Sequence, residues 1–127
     1  MKVRSVKAVK DYVSVLKYGK YAGVTFDVEA PKPFAVGEKM NAAHEMAYMN
    51  GYNWAALLDW YLGQHNPALL EGLEHDPEAG SYAGYYPLSP ENEAKAEKVV
   101  EIIRSLVEDG DRSCGIVREH GDEIEWD

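Results

Sequence analysis

The sequence predicts an α+β domain, with an antiparallel sheet of about five strands and helices packed against it. Three observations lead there. Apolar and polar residues alternate through much of residues 13–29, the pattern of strands with one buried face. Apolar stripes at helical spacing run from Trp54 to Tyr61 and from Val99 to Val107, marking two helices that lie on a core. Between them sits a turn rich in Asp, Pro and Gly, flanked by short β-prone runs.

Taken in order, Val3, Ser5, Lys7 and Val9 alternate with Arg4, Val6, Ala8 and Lys10, a partly patterned first strand. Val13, Val15 and Lys17 oppose Tyr12, Ser14, Leu16 and Tyr18 in a second. Tyr18-Gly19-Lys20 should turn the chain, because glycine adopts positive φ without strain. Val24, Phe26 and Val28 alternate with Thr25, Asp27 and Glu29 in a half-buried strand. The expected product is a meander with one solvated face. Ala30-Pro31-Lys32-Pro33 ends it, since proline cannot donate to a ladder. Residues 34–49 read as a helix lined by Ala42, Ala43, Met46, Ala47 and Met49, although Met46 and Tyr48 also fit a strand. That helix should end, or turn extended, before Asn50-Gly51.

Asn53 is the expected N-cap of the next helix, its side-chain oxygen accepting an amide of the first turn. Trp54, Leu57, Leu58 and Tyr61 form its buried stripe, and Gly63 is expected to stop it. Asn66-Pro67 opens a short helical turn that Gly72 closes. Leu73–Asp76 and Ser81–Tyr86 should then be strands joined through Asp76-Pro77-Glu78-Ala79-Gly80, read as a type I turn with a bulge. Ser89-Pro90-Glu91 starts the longest helix, with a capping serine, a first-position proline and acids in the first turn. Val99, Ile102, Ile103, Leu106 and Val107 form its buried stripe. Asp109-Gly110-Asp111 ends it and caps a short last helix through Ile116 and Val117.

Composition narrows the function. A chain of 127 residues can bury one sizeable core, and the expectation is a single domain over 1–127. The lone Cys114 permits no internal disulfide, and no long apolar run spans a bilayer. A soluble, cytoplasmic protein is therefore expected. The net charge of −9 is uneven. Residues 1–30 hold six Lys/Arg against three Asp/Glu, and the remainder holds seven against nineteen. So acidic a surface argues against nucleic-acid binding and suits a basic partner, and the lack of a long apolar run argues against a membrane. Simple solubility explains the charge equally well.

No site for chemistry stands out. His44, His65, His75 and His120 are scattered without metal spacing, and His44-Glu45 lacks the second histidine of a zincin helix. Cys114 on an amphipathic helix reads as buried and inert. No nucleophile elbow, phosphate loop or calcium loop is present. The expectation is no catalytic residue, no metal and no cofactor.

Aromatic residues are the remaining signal: nine Tyr, three Trp and two Phe are more than one core can hold. Trp54, Tyr61 and Tyr82 fit the core by periodicity. Adjacent strand residues Tyr85 and Tyr86 must point to opposite faces. Trp126, within an acidic terminal run, either docks on the body or waits for a partner. Aromatics ringed by acids are what protein-binding hot spots use. The candidate partner-binding residues are therefore Glu74, Asp76, Glu78 and Tyr85 near the hairpin, with Asp122, Glu123, Glu125, Trp126 and Asp127 at the C-terminus.

Asn50-Gly51-Tyr52-Asn53-Trp54, answered by Asp76-Pro77-Glu78-Ala79-Gly80, resembles the bacterial immunity protein 51 family. In that family an N-G-Y-x-W helix start precedes a D-x-E-A-G turn. The resemblance covers about Tyr48 to Ser105. It implies a cytoplasmic protein that binds and neutralises a cognate toxin of a polymorphic secretion system, and it transfers no catalytic residues. The acidic surface fits a basic, nuclease-type toxin. Two other readings are a small-molecule or peptide-binding module, marked by an enclosed tyrosine-lined pocket, and a carboxylate-based hydrolase, marked by two buried acids in a cleft.

Overall fold

The structure, a computed structural model, describes residues 11–127. The strand expected at Val3–Lys10 lies outside the described residues. The described sheet has four strands, against the expected five or so, in the order β1-β2-β4-β3 with every pair antiparallel. β1 (Val13–Tyr18) and β2 (Tyr21–Asp27) form the expected hairpin, closed by the Tyr18–Tyr21 pair with Gly19 at a φ of +58°. β3 is short (Glu74–His75), and β4 (Ser81–Pro87) lies between it and β2.

Registry divides the sheet into two unlike faces. Val13, Val24, Phe26, Tyr82 and Tyr86 point to one side and are buried. α2 (Gly51–His65) packs on β4, and α3 (Pro90–Glu108) crosses β1, β2 and β4. Trp54 of α2 meets Phe26 nearly edge-on, with ring centroids 4.9 Å apart. α1 (Pro31–Ala43) packs mainly on α4 (Gly110–His120). The opposite face of the sheet carries Leu16, Tyr18 and Tyr21 in exposed positions. This is the solvated face that the alternation predicts.

α3 begins as expected: Ser89 accepts from the Asn92 amide at 3.1 Å, with Pro90 in the first turn. Its buried residues include Val99, Ile103, Leu106 and Val107, while Ile102 is half-buried. Asp109 caps α4 by accepting from the Arg112 amide at 3.2 Å. At the C-terminal end of α3, Glu108 accepts from Lys32 and from the Tyr12 hydroxyl, tying α1 and the β1 entry to α3.

Several boundaries differ from expectation. The proline pair ends the sheet and also begins α1 at Pro31, where a missing N–H costs nothing. α1 ends at Ala43, so Met46, Ala47 and Met49 lie on the irregular segment beyond it, with Met46 in a turn closed by the Ala47 N–H to His44 O bond. The N-cap of α2 is Asn50, whose side chain accepts from Asn53 N–H at 2.9 Å. Asn53 is instead buried inside the first turn. Gly63 does not stop α2, which runs to His65 and caps at Asn66, just before Pro67. The residue before a proline disfavours helical backbone, so Asn66-Pro67 is the stronger break. The hairpin turns at Ala79-Gly80, because Glu78 and Ser81 exchange backbone hydrogen bonds. Asp76 and Pro77 therefore belong to its arm, and Gly80 is not among the described glycines with positive φ.

Candidate partner-binding surface

Period-two geometry places three of the candidate carboxylates on one edge. Glu74 stands opposite Tyr85, Asp76 bonds through its amide to Ala83, and Glu78 pairs with Ser81. Tyr85, Ala83 and Ser81 are the strand positions that face away from the helices. Glu74, Asp76 and Glu78 thus form a rail along the open face, about 7 Å apart at every second residue. All three are exposed, and none forms an ion pair among the described residues.

Beside the rail lies an aromatic floor. A Cβ on Gly23 would meet the Tyr85 ring at 3.1 Å, so the ring lies over that glycine. Tyr21 approaches Tyr85 edge-on at 5.9 Å, and Tyr18 pairs across the turn with Tyr21. These tyrosines with Glu74, His75 and Asp76 line a shallow cleft of about 410 Å³. Tyr86, the other member of the pair, is buried and donates to the Leu69 carbonyl. Burial pushes its hydroxyl up to about 12.

The C-terminal candidates lie around the corner from that edge. Trp126 docks on the body: it is half-buried and its indole N–H donates to Gly121 O at 2.9 Å. Asn53 holds the tail from the other side, accepting from the Asp127 amide at 2.6 Å while its own amide donates to Tyr48 O at 2.8 Å. Glu123 accepts from His120 Nδ1 at 3.0 Å, and that hydrogen bond holds its carboxyl below the usual carboxylate range. Asp122 turns the other way, to His44 Nε2 at 3.1 Å, and does not join the rest.

Between the tail and α2 runs an open trough of about 610 Å³. Glu123, Glu125, Trp126 and Asp127 form one wall. Tyr52, Asp59 and Trp60 stand on the other, with His75 and Pro77 at the end nearest β3. His75 lines both clefts and so joins the two groups of candidates. Sequence reasoning missed Tyr52, Asp59 and Trp60. The signal was a second helical stripe, at 52, 55, 56, 59 and 60, beside the core stripe of α2.

His75 also links Asp59 to Tyr82. Burial raises the pKa of the Tyr82 hydroxyl, so it stays protonated and donates to His75 Nδ1 at 2.6 Å. The Nε2 proton then faces Asp59 Oδ1 at 3.3 Å. An Asp–His–hydroxyl chain has the order of a nucleophile triad. Here the hydroxyl belongs to Tyr82, a residue only 1% exposed and packed in the core, so it is not presented to a substrate carbonyl. The chain ties α2 to the hairpin. Of the other histidines, His65 lies 4.2 Å from the Tyr61 ring. Cys114, expected buried, is half-buried.

Among the described residues no group of three or more His, Cys, Asp or Glu is placed to hold a metal ion. No described helix is long and apolar enough to cross a membrane. No curated protein and no solved structure matches the chain. A family model described as Immunity protein 51 matches residues 16–119, reaching well beyond the Tyr48–Ser105 block on both sides. Within the matched span fall β2, the α2 start, the hairpin that abuts it and the carboxylate rail. The match covers most of the chain and includes both contacting signatures, so the chain belongs to the immunity protein 51 family.

Proposed function

We propose that this chain protects its cell by binding a cognate toxin of a polymorphic, contact-dependent secretion system stoichiometrically in the cytoplasm, without catalysis of its own. Its acidic open face is the surface that meets the toxin. The observation that carries this reading is the rail: Glu74, Asp76 and Glu78 share one face with the tyrosines around Tyr85. A toxin that cuts nucleic acid needs a cationic cleft, and spaced carboxylates can occupy it in place of phosphates. The tyrosines supply apolar area and polar tips at low entropic cost, as in other binding surfaces. Glu123, Glu125 and Trp126 extend the same acidic surface round the β3 edge, and Asp122 lies beyond it.

The competing readings fare less well. Every described Asp and Glu is at least partly exposed, so the fold offers no buried carboxylate pair for a hydrolase. The tyrosine-lined cleft lies open on the sheet and does not enclose a small molecule. The direct test is co-expression with a cognate toxin domain in a susceptible cell. Survival, with a one-to-one complex recovered by gel filtration, supports the reading. Cell death despite soluble protein, or protection by substoichiometric amounts with a chemically altered toxin, overturns it.

A further inference from the structure

The trough between α2 and the tail has features that the sheet face lacks. Two tryptophans, Trp60 and Trp126, and Tyr52 line a space of about 610 Å³ together with four carboxylates, and among the described residues neither Lys nor Arg lines it. The carboxylates are not equivalent. Asp59 is engaged by His75 and Glu123 by His120. The Glu125 and Asp127 side chains form no hydrogen bond or ion pair among the described residues. The walls are also held in place. Trp60 lies against the His120 ring at 5.0 Å, Trp126 is pinned to Gly121, and Asn53 holds the Asp127 backbone.

Resting on the toxin-binding reading, we propose that this trough receives arginine side chains from a basic loop of the partner protein. Aromatic faces attract cations, and the planar guanidinium stacks on them more readily than an ammonium does. Its fork of N–H groups can meet a carboxylate in the same pose, which fits walls that alternate indole and acid. The unengaged carboxylates, Glu125 and Asp127, are the ones available to it. Arginine held here would anchor the partner at a point separate from the rail, so that the two contacts fix its orientation.

The test needs no toxin. A glycine-serine nonapeptide with a central Arg-Gly-Arg is titrated into ¹⁵N-labelled protein, and the same peptide with citrulline in place of arginine is the uncharged control. Trp54 is buried and serves as the internal reference for the indole signals of Trp60 and Trp126. The expected result is saturable movement of Trp60 and Trp126 with the arginine peptide and little with citrulline. The double variant Glu125→Gln, Asp127→Asn should weaken that binding at least five-fold. Equal shifts with citrulline, no movement of Trp60 and Trp126, or shifts centred on Tyr18, Tyr21 and Tyr85 would overturn the proposal. Any of those outcomes alongside a protective one-to-one toxin complex leaves the neutralisation reading standing.

Discussion

The backbone N–H of Gly51 donates to the carbonyl oxygen of Ala79 across 3.0 Å, fastening the first residue of α2 to the tip of the β3–β4 hairpin. The two family signatures are therefore two sides of one contact. A side chain at 51 would collide with the carbonyl oxygens of Glu78 and Ser81, and neither backbone can step aside cheaply. Gly51→Ala should destabilise the fold by about 3 kcal/mol, the upper range for forced overpacking. Gly63→Ala is the companion: it lies in the last turn of α2, exposed, with only Leu70 at 3.7 Å, and should stabilise by about 0.5 kcal/mol, the lower end for glycine in a helix. Denaturant midpoints of the two variants should move in opposite directions. Equal midpoints would remove the Gly51 contact from the account.

Asn53 joins three parts of the chain, bonding the Asn50 cap, the Tyr48 carbonyl and the Asp127 amide. Asn53→Ala strands the last two partners and should cost about 2 kcal/mol. It should also release the tail, exposing Trp126. A red-shifted tryptophan emission and faster amide exchange after Ile124 would show this. Unchanged tail exchange would show that Trp126 and Ile124 hold the tail unaided.

Trp54 is fully buried against Phe26, and its indole N–H has no acceptor among the described residues. Its contribution is therefore packing. Trp54→Ala should cost about 3–5 kcal/mol. A variant that melts with the wild type would contradict the burial.

Glu108 is held below the usual carboxylate range first by the Lys32 hydrogen bond and then by the Tyr12 hydroxyl. A carboxyl depressed in the folded state stabilises above its unfolded pKa, about 4.3, and that contribution is lost as pH falls through the folded value. The pair is exposed, so the effect should stay under about 1 kcal/mol. Thermal midpoints of wild type and Glu108→Gln should differ at neutral pH and converge by about pH 3. A difference that persists unchanged into acid would mean the carboxylate is not the source.

The sheet alternation, the Ser89-Pro90 start and the core stripes of α2 and α3 were legible because each rests on neighbours in sequence. The α2 cap was not. Asn50 and Asn53 are equally good caps locally, and the choice falls to Asn50 because the residue after it must be glycine to fit beneath the hairpin. Gly63 misled for a related reason: Leu62 and Tyr61 are packed in the core, and that packing carries the helix past it. Of the candidate surface, sequence put Glu74, Asp76 and Glu78 near one hairpin and Tyr85 on the face opposite Tyr86, whereas their shared face follows from the β3–β4 register, which local pattern does not carry. The trough could not be read locally either. It needs Trp60 of α2 and Trp126 of the tail side by side, which only the tertiary fold brings about.

Charge on the open face should guide this protein to a basic toxin. The direct measurement is the association rate with a cognate toxin domain, followed by stopped flow from about 25 to about 500 mM salt, a range that shortens the screening length several-fold. Association should slow by about ten-fold or more while dissociation changes little. Glu74→Lys with Glu78→Lys, and Glu123→Lys with Glu125→Lys, should each slow association at low salt without unfolding the protein. An association rate indifferent to salt, with both double variants still fully protective, would contradict the claim and leave the acidic surface a matter of solubility.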